Sequence, residues 1–396
     1  MGGNKKILMV MPVMKGGGAE RVASLLLNEF YNKGCNCEFL LTSSAKEECV
    51  IRDLNPNITI SSVYSKKKNP VFKILEVISS LLCKPFEILG FSVPARFAYL
   101  SFYAQYQAEI KKLNKKLKSE PDAAVISFLQ PSVPITLLAA KNLPNKVVIS
   151  ERGDPKRLLK KRYGYNFIKK YYQRADAVVF QTNDAKAAYP DNISAKGTVL
   201  FNPINDKLPE PYFGEREKYI TTFCRISRQK NLPVLVEAFA GFHKGFGDYR
   251  LKIIGEPQND DDKASLEETK ALAAKLGIAG HIDFMPFNAQ VHSSVIRDAM
   301  YVNSSDYEGM SNAMLEAMAI GMPVVCTDCP IGGANAVINN NKNGVLAPVG
   351  NADELCEAMK KIAGDKDFAD KLSKNAAEIR CTLSLENTAK KWMELL

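Results

Sequence analysis

Ser304-Ser305-Asp306-Tyr307-Glu308-Gly309-Met310-Ser311-Asn312-Ala313-Met314-Leu315-Glu316-Ala317-Met318-Ala319 is the stretch that decides how this chain is read. The apolar run before it, Tyr301–Asn303, is strand-like, and Ser311–Ile320 carries helical periodicity, so the segment is a strand turning into a helix. One carboxylate, Glu308, sits in the turn, and a second, Glu316, lies eight residues on inside the helix. A helix rises about 1.5 Å per residue, so the in-helix part of that gap is short and one ligand can touch both carboxylates. Glu316 is surrounded by Met314, Leu315, Ala317 and Met318, where an unpaired charge is costly. With no partner evident in the sequence, the expected partner is a ligand hydroxyl.

Working outward, the same alternation recurs on both sides. Strands are expected at Lys6–Met11, Cys37–Thr42, Ala123–Phe128, Lys146–Ser150, Ala177–Gln181 and Thr198–Phe201. Helices follow Gly16-Gly17-Gly18 and occupy Val133–Ala140. Residues 202–218 hold three prolines and little periodicity, which marks a linker. The alternation then restarts with strands at Tyr219–Cys224, Arg250–Ile254, His281–Phe284 and Pro323–Thr327. Helices are expected at Leu232–Phe242, Lys263–Leu276, Val291–Ala299, Ala352–Ala363 and Phe368–Glu378. Strands separated by helices make a parallel sheet with crossovers. The reading is therefore α/β: two Rossmann-like, doubly wound domains, 1–201 and 219–380, with ligands expected where strand carboxyl ends face a cleft. Residues 381–396 form a terminal helix expected to pack back on the first domain.

At 396 residues the chain exceeds one ordinary core, and 46% hydrophobic with 24% charged residues is a globular composition. No run of 18 apolar residues exists, no signal-peptide layout is seen, and nine scattered cysteines suit a reducing compartment. The net charge of +10 is uneven: residues 1–200 carry +15 and residues 201–396 carry −5. The first half is therefore expected to face something anionic. Nucleic acid is excluded for want of any zinc-finger, basic-zipper or RNA-binding signature. Residues 64–118 break the strand–helix rhythm, with Lys66-Lys67-Lys68 and Lys111-Lys112 flanking an apolar, aromatic stretch. Ordinary crossover helices with solvated ends would explain this; so would a helix pair lying on an anionic bilayer, the reading favoured here.

Two further clusters carry chemistry. Gly17 and Gly18 stand between a strand and a helix, where backbone comes close to ligand and the helix end favours an anion, although a tight turn explains them equally. Arg225 and Lys230 follow a strand and can both reach one diphosphate; plain surface charge is the competing explanation. Cys326-x-x-Cys329 has no second pair and only His243, His281 and His292 to complete a metal site, so no metal is assigned. Asp260-Asp261-Asp262 reads as a solvated loop.

In combination, Glu308-x7-Glu316, Arg225…Lys230, Gly16-Gly17-Gly18-Ala19-Glu20-Arg21 and Gly321-x-Pro323-Val-Val…Asn343-Gly344 resemble a family 4 glycosyltransferase of the GT-B fold. The chain looks most like bacterial enzymes that extend saccharides on polyprenyl diphosphate. That resemblance implies a retaining, metal-independent transfer of a hexose or N-acetylhexosamine from a UDP-sugar, with no cofactor. It implies that Glu316 bonds the ribose and Glu308 the donor sugar, while Arg225 and Lys230 neutralise the leaving diphosphate. Gly309, Met310 and Ser311 would offer backbone N–H groups, backbone around Phe284 and Met285 would meet the base, and Gly17 and Gly18 would close over the diphosphate. The implied acceptor is a lipid-linked saccharide at an anionic membrane surface, with the enzyme peripheral on the cytoplasmic face, serving capsule, exopolysaccharide or other glycan synthesis. Three positions depart from the family: Cys224 for Gly, Ala336 for Glu, and Arg152 for a sugar-proximal His. Arg152 or Asp154 would then take the sugar contact, unless Arg152 forms a loop salt bridge. A sugar-nucleotide epimerase or hydrolase, or a non-catalytic sugar-nucleotide-binding protein, is the alternative.

Overall fold

The computed structural model describes residues 5–14, 17–48, 53–66 and 69–396; Gly16, Lys67 and Lys68 of the motifs above lie outside them. The chain divides into two units, Met1–Pro203 with Leu385–Leu396, and Ile204–Ser384. Each is built on one parallel sheet.

The first sheet runs β3 (Thr59–Ser62), β2 (Asn36–Leu41), β1 (Lys6–Met11), β4 (Ala124–Phe128), β5 (Val147–Ser150), β6 (Ala177–Phe180), β7 (Gly197–Val199). Its central strands are buried on both faces, Ile7 to Met11 at 0% exposure, which is why they read as unbroken apolar runs rather than alternating ones. Helices α1 (Gly18–Asn32), α2 (Pro70–Ile88), α3 (Ala95–Ser119), α4 (Ser132–Ala139), α5 (Pro155–Leu159), α6 (Tyr165–Tyr171), α7 (Asn183–Ala187) and α8 (Asp191–Ser194) connect these strands. The stretch 64–118 is thus the helix pair α2–α3.

The second sheet runs β10 (Ile282–Met285), β9 (Arg250–Ile254), β8 (Glu217–Phe223), β11 (Asp298–Asn303), β12 (Val324–Thr327), β13 (Val345–Ala347). Around it lie α9 (Leu232–His243), α10 (Asp260–Lys275), α11 (Val291–Val295), α12 (Asn312–Ala319), α13 (Ala334–Val337), α14 (Ala352–Gly364), α15 (Lys366–Ala377) and α16 (Ile379–Thr382). The last helix, α17 (Leu385–Glu394), belongs to the first unit, where Trp392 packs 5.4 Å from Phe128. The order of connection reverses between β1 and β4 in one sheet and between β8 and β11 in the other, and those reversals leave a crevice at the strands' carboxyl ends.

Two expectations about local structure fail. The helix expected over Val291–Ala299 stops at Val295, and β11 begins at Asp298. Asp298 is fully buried there, accepting from Lys252 Nζ at 2.8 Å and from Thr221, a tertiary anchor that local periodicity does not show. Asp260-Asp261-Asp262 is the first turn of α10, not a loop. Asn259 caps it, and Asp262 Oδ2 accepts from Gln258 N–H (3.2 Å) and Asn259 Nδ2 (3.0 Å), so the carboxylates serve the helix end.

Candidate functional site

The switch point of the second sheet brings the loop after β8 against the loop after β11. After Phe223 the chain passes Cys224 and Arg225, makes a single 3-10 turn at Arg228–Lys230, and enters α9 through Asn231, whose φ of 42° is left-handed. The β11 loop answers it bond for bond. Asp306 N–H donates to Gln229 O at 3.0 Å, Ser304 Oγ to Lys230 O at 2.9 Å, and Asn231 Nδ2 to Asp306 at 2.6 Å. Gln229 Nε2 donates to Tyr307 O at 2.7 Å and to Glu308 Oε2 at 3.3 Å.

Within that frame Lys230 pairs with Glu308, and their side chains are only 15% and 13% exposed. Ser305 Oγ donates a further bond to the same carboxylate oxygen at 2.9 Å. Burial opposes the Lys230 ammonium, but the Glu308 carboxylate overrides it and holds the lysine pKa above its ordinary value. Arg225 is exposed beside this pair and close enough to push the other way on Lys230. An anion arriving here meets one cation open to solvent and a second that can be shared with Glu308.

Glu316 lies one helix further on. The spacing of the opening stretch is realised: α12 starts at Asn312, Ser311 Oγ caps it by accepting Met314 N–H at 3.3 Å, and Glu316 is 7% exposed. It is not without a partner, however. His292 Nε2 lies 2.8 Å from Glu316 Oε2, with His292 itself 8% exposed on α11. Nothing in the sequence signals that contact, because α11 and α12 are brought together only by the strand between them.

The remaining predicted donor residues are placed as follows. Gly309 and Met310 line the turn between β11 and α12; the Gly332-Gly333 loop presses on it, with Gly333 N–H bonding Gly309 O at 2.5 Å. A Cβ on Gly333 would come within 2.8 Å of Met310 Cα. Phe284 and Met285 end β10, where Met285 is 42% exposed and its carbonyl accepts from Gly255 N–H at 2.9 Å. Cys326 and Cys329 are buried free thiols, and Cys329 donates to Ser305 O at 3.0 Å. Burial raises the Cys329 pKa to about 11. They brace the floor of the site.

In the first unit, Gly17 N–H is accepted by Glu20 Oε2 at 2.8 Å, so the glycine turn caps α1 from within. Arg152 follows β5, donates Nη2 to Asn202, and lays its guanidinium 4.6 Å from the Phe128 ring centroid. The loop salt bridge is not what is found: Nε and Nη1 are enclosed without a hydrogen-bond partner among the described residues. Burial drags the Arg152 pKa down to about 9. Asp154 caps α5 through Lys156 N–H at 2.8 Å. Glu151, missed in the sequence, is buried and accepts from Tyr172 Oη at 2.5 Å, and burial lifts its pKa to about 7.

Helix α2 is apolar on both sides. Its packed side holds Ser79 and Cys83 with the half-buried Phe72, Leu75, Glu76, Ser80 and Phe86, while Glu87 pairs with Arg162 at 2.6 Å. Its outward side and the turn after it expose Val71, Ile74, Val77, Ile78, Leu81, Leu82, Ile88, Leu89 and Phe91 by 42% to 80%. The cations near it are not all available: Lys112 Nζ donates to Tyr64 O at 2.9 Å, and Lys111 sits 5.6 Å from the Phe72 ring. No helix among the described residues is long and apolar enough to cross a membrane.

Comparison with known proteins fits this geometry. Residues 205–379, under half of the chain, match the family model of glycosyl transferases group 1. An uncharacterized glycosyltransferase of Haemophilus influenzae is 21% identical over 99% of this chain and 100% of its own length. A Campylobacter jejuni protein, N-acetylgalactosamine-N,N'-diacetylbacillosaminyl-diphospho-undecaprenol 4-alpha-N-acetylgalactosaminyltransferase, is 25% identical over 61% of this chain and 67% of its own. Among solved structures, Anabaena HepE in complex with UDP aligns with a TM-score of 0.75 at 15% identity, covering 98% of both chains. The fold is GT-B.

Proposed function

We propose that the protein is a retaining glycosyltransferase that moves a hexose or N-acetylhexosamine from a UDP-sugar to a lipid-linked saccharide in bacterial glycan synthesis. The observation that carries this reading is the Lys230–Glu308 pair with Arg225 beside it, at the switch point of the sheet that also presents Glu316. A nucleoside diphosphate needs fixed cations, and a sugar nucleotide needs carboxylates for its hydroxyls; this crevice holds both. Arg225 and Lys230 would neutralise the departing diphosphate, the kind of preorganised charge that contributes most in such sites. Lys230 starts paired with Glu308, so its charge is held in place before the ligand arrives. Glu308 would orient the donor sugar and Glu316 the ribose, while a leaving-phosphate oxygen takes the acceptor hydroxyl's proton, with no metal and no separate base.

Support for the donor comes from the HepE structure, a complex with UDP. Support for a polyprenyl-diphosphate acceptor comes from the Campylobacter relative, whose name specifies a diphospho-undecaprenol saccharide. The outward face of α2 supports a peripheral place on the cytoplasmic membrane surface. Glu87, an exposed acidic side chain of α2, is paired with Arg162, and exposed Lys73, Lys84 and Arg96 flank the face, so its charge complements anionic lipid. The test is transfer of radiolabelled sugar from a panel of UDP-sugars onto polyprenyl-diphosphate saccharides, with and without EDTA. Transfer to lipid that survives EDTA and keeps the anomeric configuration of the donor is expected; hydrolysis or epimerisation without transfer would select the alternative.

A further inference from the structure

We infer that His292 is a positioning residue for the nucleotide: it fixes the Glu316 carboxylate in the orientation that receives the ribose hydroxyls. The inference rests on the reading of Glu316 as the ribose ligand and adds a residue to it.

A carboxylate at the middle of a helix has free rotation about its last side-chain bonds unless something holds it, and it accepts about four hydrogen bonds but donates none. His292 Nε2, 2.8 Å from Glu316 Oε2, must therefore be the protonated ring nitrogen. The imidazole is itself held. Phe223 meets it edge-on, centroids 5.5 Å apart and planes at 85°, and Phe223 in turn packs 4.8 Å from Tyr301. Val291 and Val295 anchor α11 in the core at 7% and 0% exposure, so the backbone that carries His292 does not slide. Both ends of the pair are thus on rigid supports, one on α11 and one on α12, with β11 between them. Two buried polar groups could satisfy each other for stability alone. What distinguishes this pair is its place: Glu316 lies on α12, the helix that follows the turn carrying Glu308, Gly309 and Met310.

A second group that orients a ligand-binding group changes affinity for the part of the ligand that group touches, and nothing else. The experiment measures binding of UDP and of 2′,3′-dideoxy-UDP to the full chain, for the parent, His292→Ala, His292→Gln and Glu316→Ala, together with donor KM and kcat. His292→Ala is expected to weaken UDP about tenfold and raise donor KM in step, with kcat within about twofold, while binding of the dideoxy nucleotide stays within about twofold of the parent. His292→Gln keeps a donor at the Nε2 position and is expected to recover UDP affinity to within about threefold of the parent. If His292→Ala weakens both nucleotides equally, the residue is a core histidine and the inference is overturned. If Glu316→Ala leaves UDP affinity unchanged, the ribose reading fails first, an outcome distinguishable because it does not involve His292 at all.

Discussion

The two sheets share a topology at their centres, yet the polar groups around them are finished differently. In the second unit the buried charges are paired, Lys230 with Glu308, Glu308 with Ser305 and Gln229 as well, and Glu316 with His292, while Arg225 stays exposed beside them. In the first unit Arg152 keeps two enclosed N–H groups unpartnered, Glu151 is pushed toward its neutral form, and α2 turns its aliphatic side outward. Same fold, different finish. A satisfied network pre-organises a site for a ligand that must be held in one geometry. Unsatisfied groups and exposed apolar faces mark places where something beyond the chain completes the structure. In the proposed function, the first unit is the side left open for the acceptor.

The largest effect that would break this comparison is on α2. Burying a large aliphatic side chain contributes about 1.5–3 kcal/mol. Replacing Ile74, Val77 and Leu81 with Ser is expected to lower partitioning onto anionic vesicles by at least a hundredfold, about 3 kcal/mol, without lowering the melting temperature. Replacing Lys111 and Lys112 with Gln is expected to matter less, because both are already engaged within the unit. Vesicle sedimentation at low and high salt reads the difference. A melting temperature that falls with the triple substitution would show the face to be buried core, and the contrast between the units would lose its strongest member.

Next in size is the satisfied pair itself. Glu308→Gln leaves Lys230 without its counter-charge and removes the carboxylate proposed to hold the donor sugar. A drop in kcat of about a hundredfold or more is expected, with donor KM changed less than tenfold, since the group acts mainly as the glycosidic bond breaks. Steady-state kinetics settle it; a change confined to KM would make Glu308 a ground-state ligand only.

How much of this could be read from the chain follows the same divide. The double alternation, the switch from strand to helix at Glu308, and the inward position of Glu316 all depend on local periodicity, which the sequence carries directly. β3 was not foreseen because Thr59–Ser62 holds a single apolar residue, Ile60, and forms an edge that needs no apolar run. His292, Gln229 and Ser305 were not foreseen because each acts on a residue reached only through the tertiary fold. The apolar content of 64–118 was visible, but not which side of α2 faces inward: with Phe72, Leu75 and Phe86 half-buried and Ile74, Val77 and Leu81 exposed, the helix is apolar on both sides and no single stripe marks the buried one.

A smaller effect tests Glu151 through pH. Its pKa rises from about 4.5 to about 7 on folding because burial penalises the carboxylate. Between those values the native state holds a proton that the unfolded state has lost, so stability falls as pH rises through the window. About 3 kcal/mol is the upper size of that loss by linkage. Glu151→Gln is expected to flatten the urea-unfolding free energy between pH 5 and pH 8 while keeping a partner for Tyr172 Oη. A parent protein whose stability rises over the same range would show that Glu151 is charged in the fold.

The smallest effect, and the one that most sharpens the comparison, concerns Arg152. Its guanidinium is stacked on Phe128 and tied to Asn202, and it still leaves Nε and Nη1 enclosed with nothing to donate to. Such a group is destabilising by about 1–3 kcal/mol, because it has lost water and gained no partner. Methionine fills much of the same volume and packs on an aromatic ring without needing a hydrogen bond. Arg152→Met is therefore expected to stabilise the protein alone by about 1–2 kcal/mol, read from urea unfolding, while lowering sugar transfer about tenfold or more. Stability and activity moving in opposite directions is the mark of a charge kept for a ligand. Destabilisation instead would mean that the bond to Asn202 and the stack on Phe128 outweigh the two unpaired donors. In that case Arg152 is a structural residue, and the loop after β5 is as complete as the switch point of the second sheet.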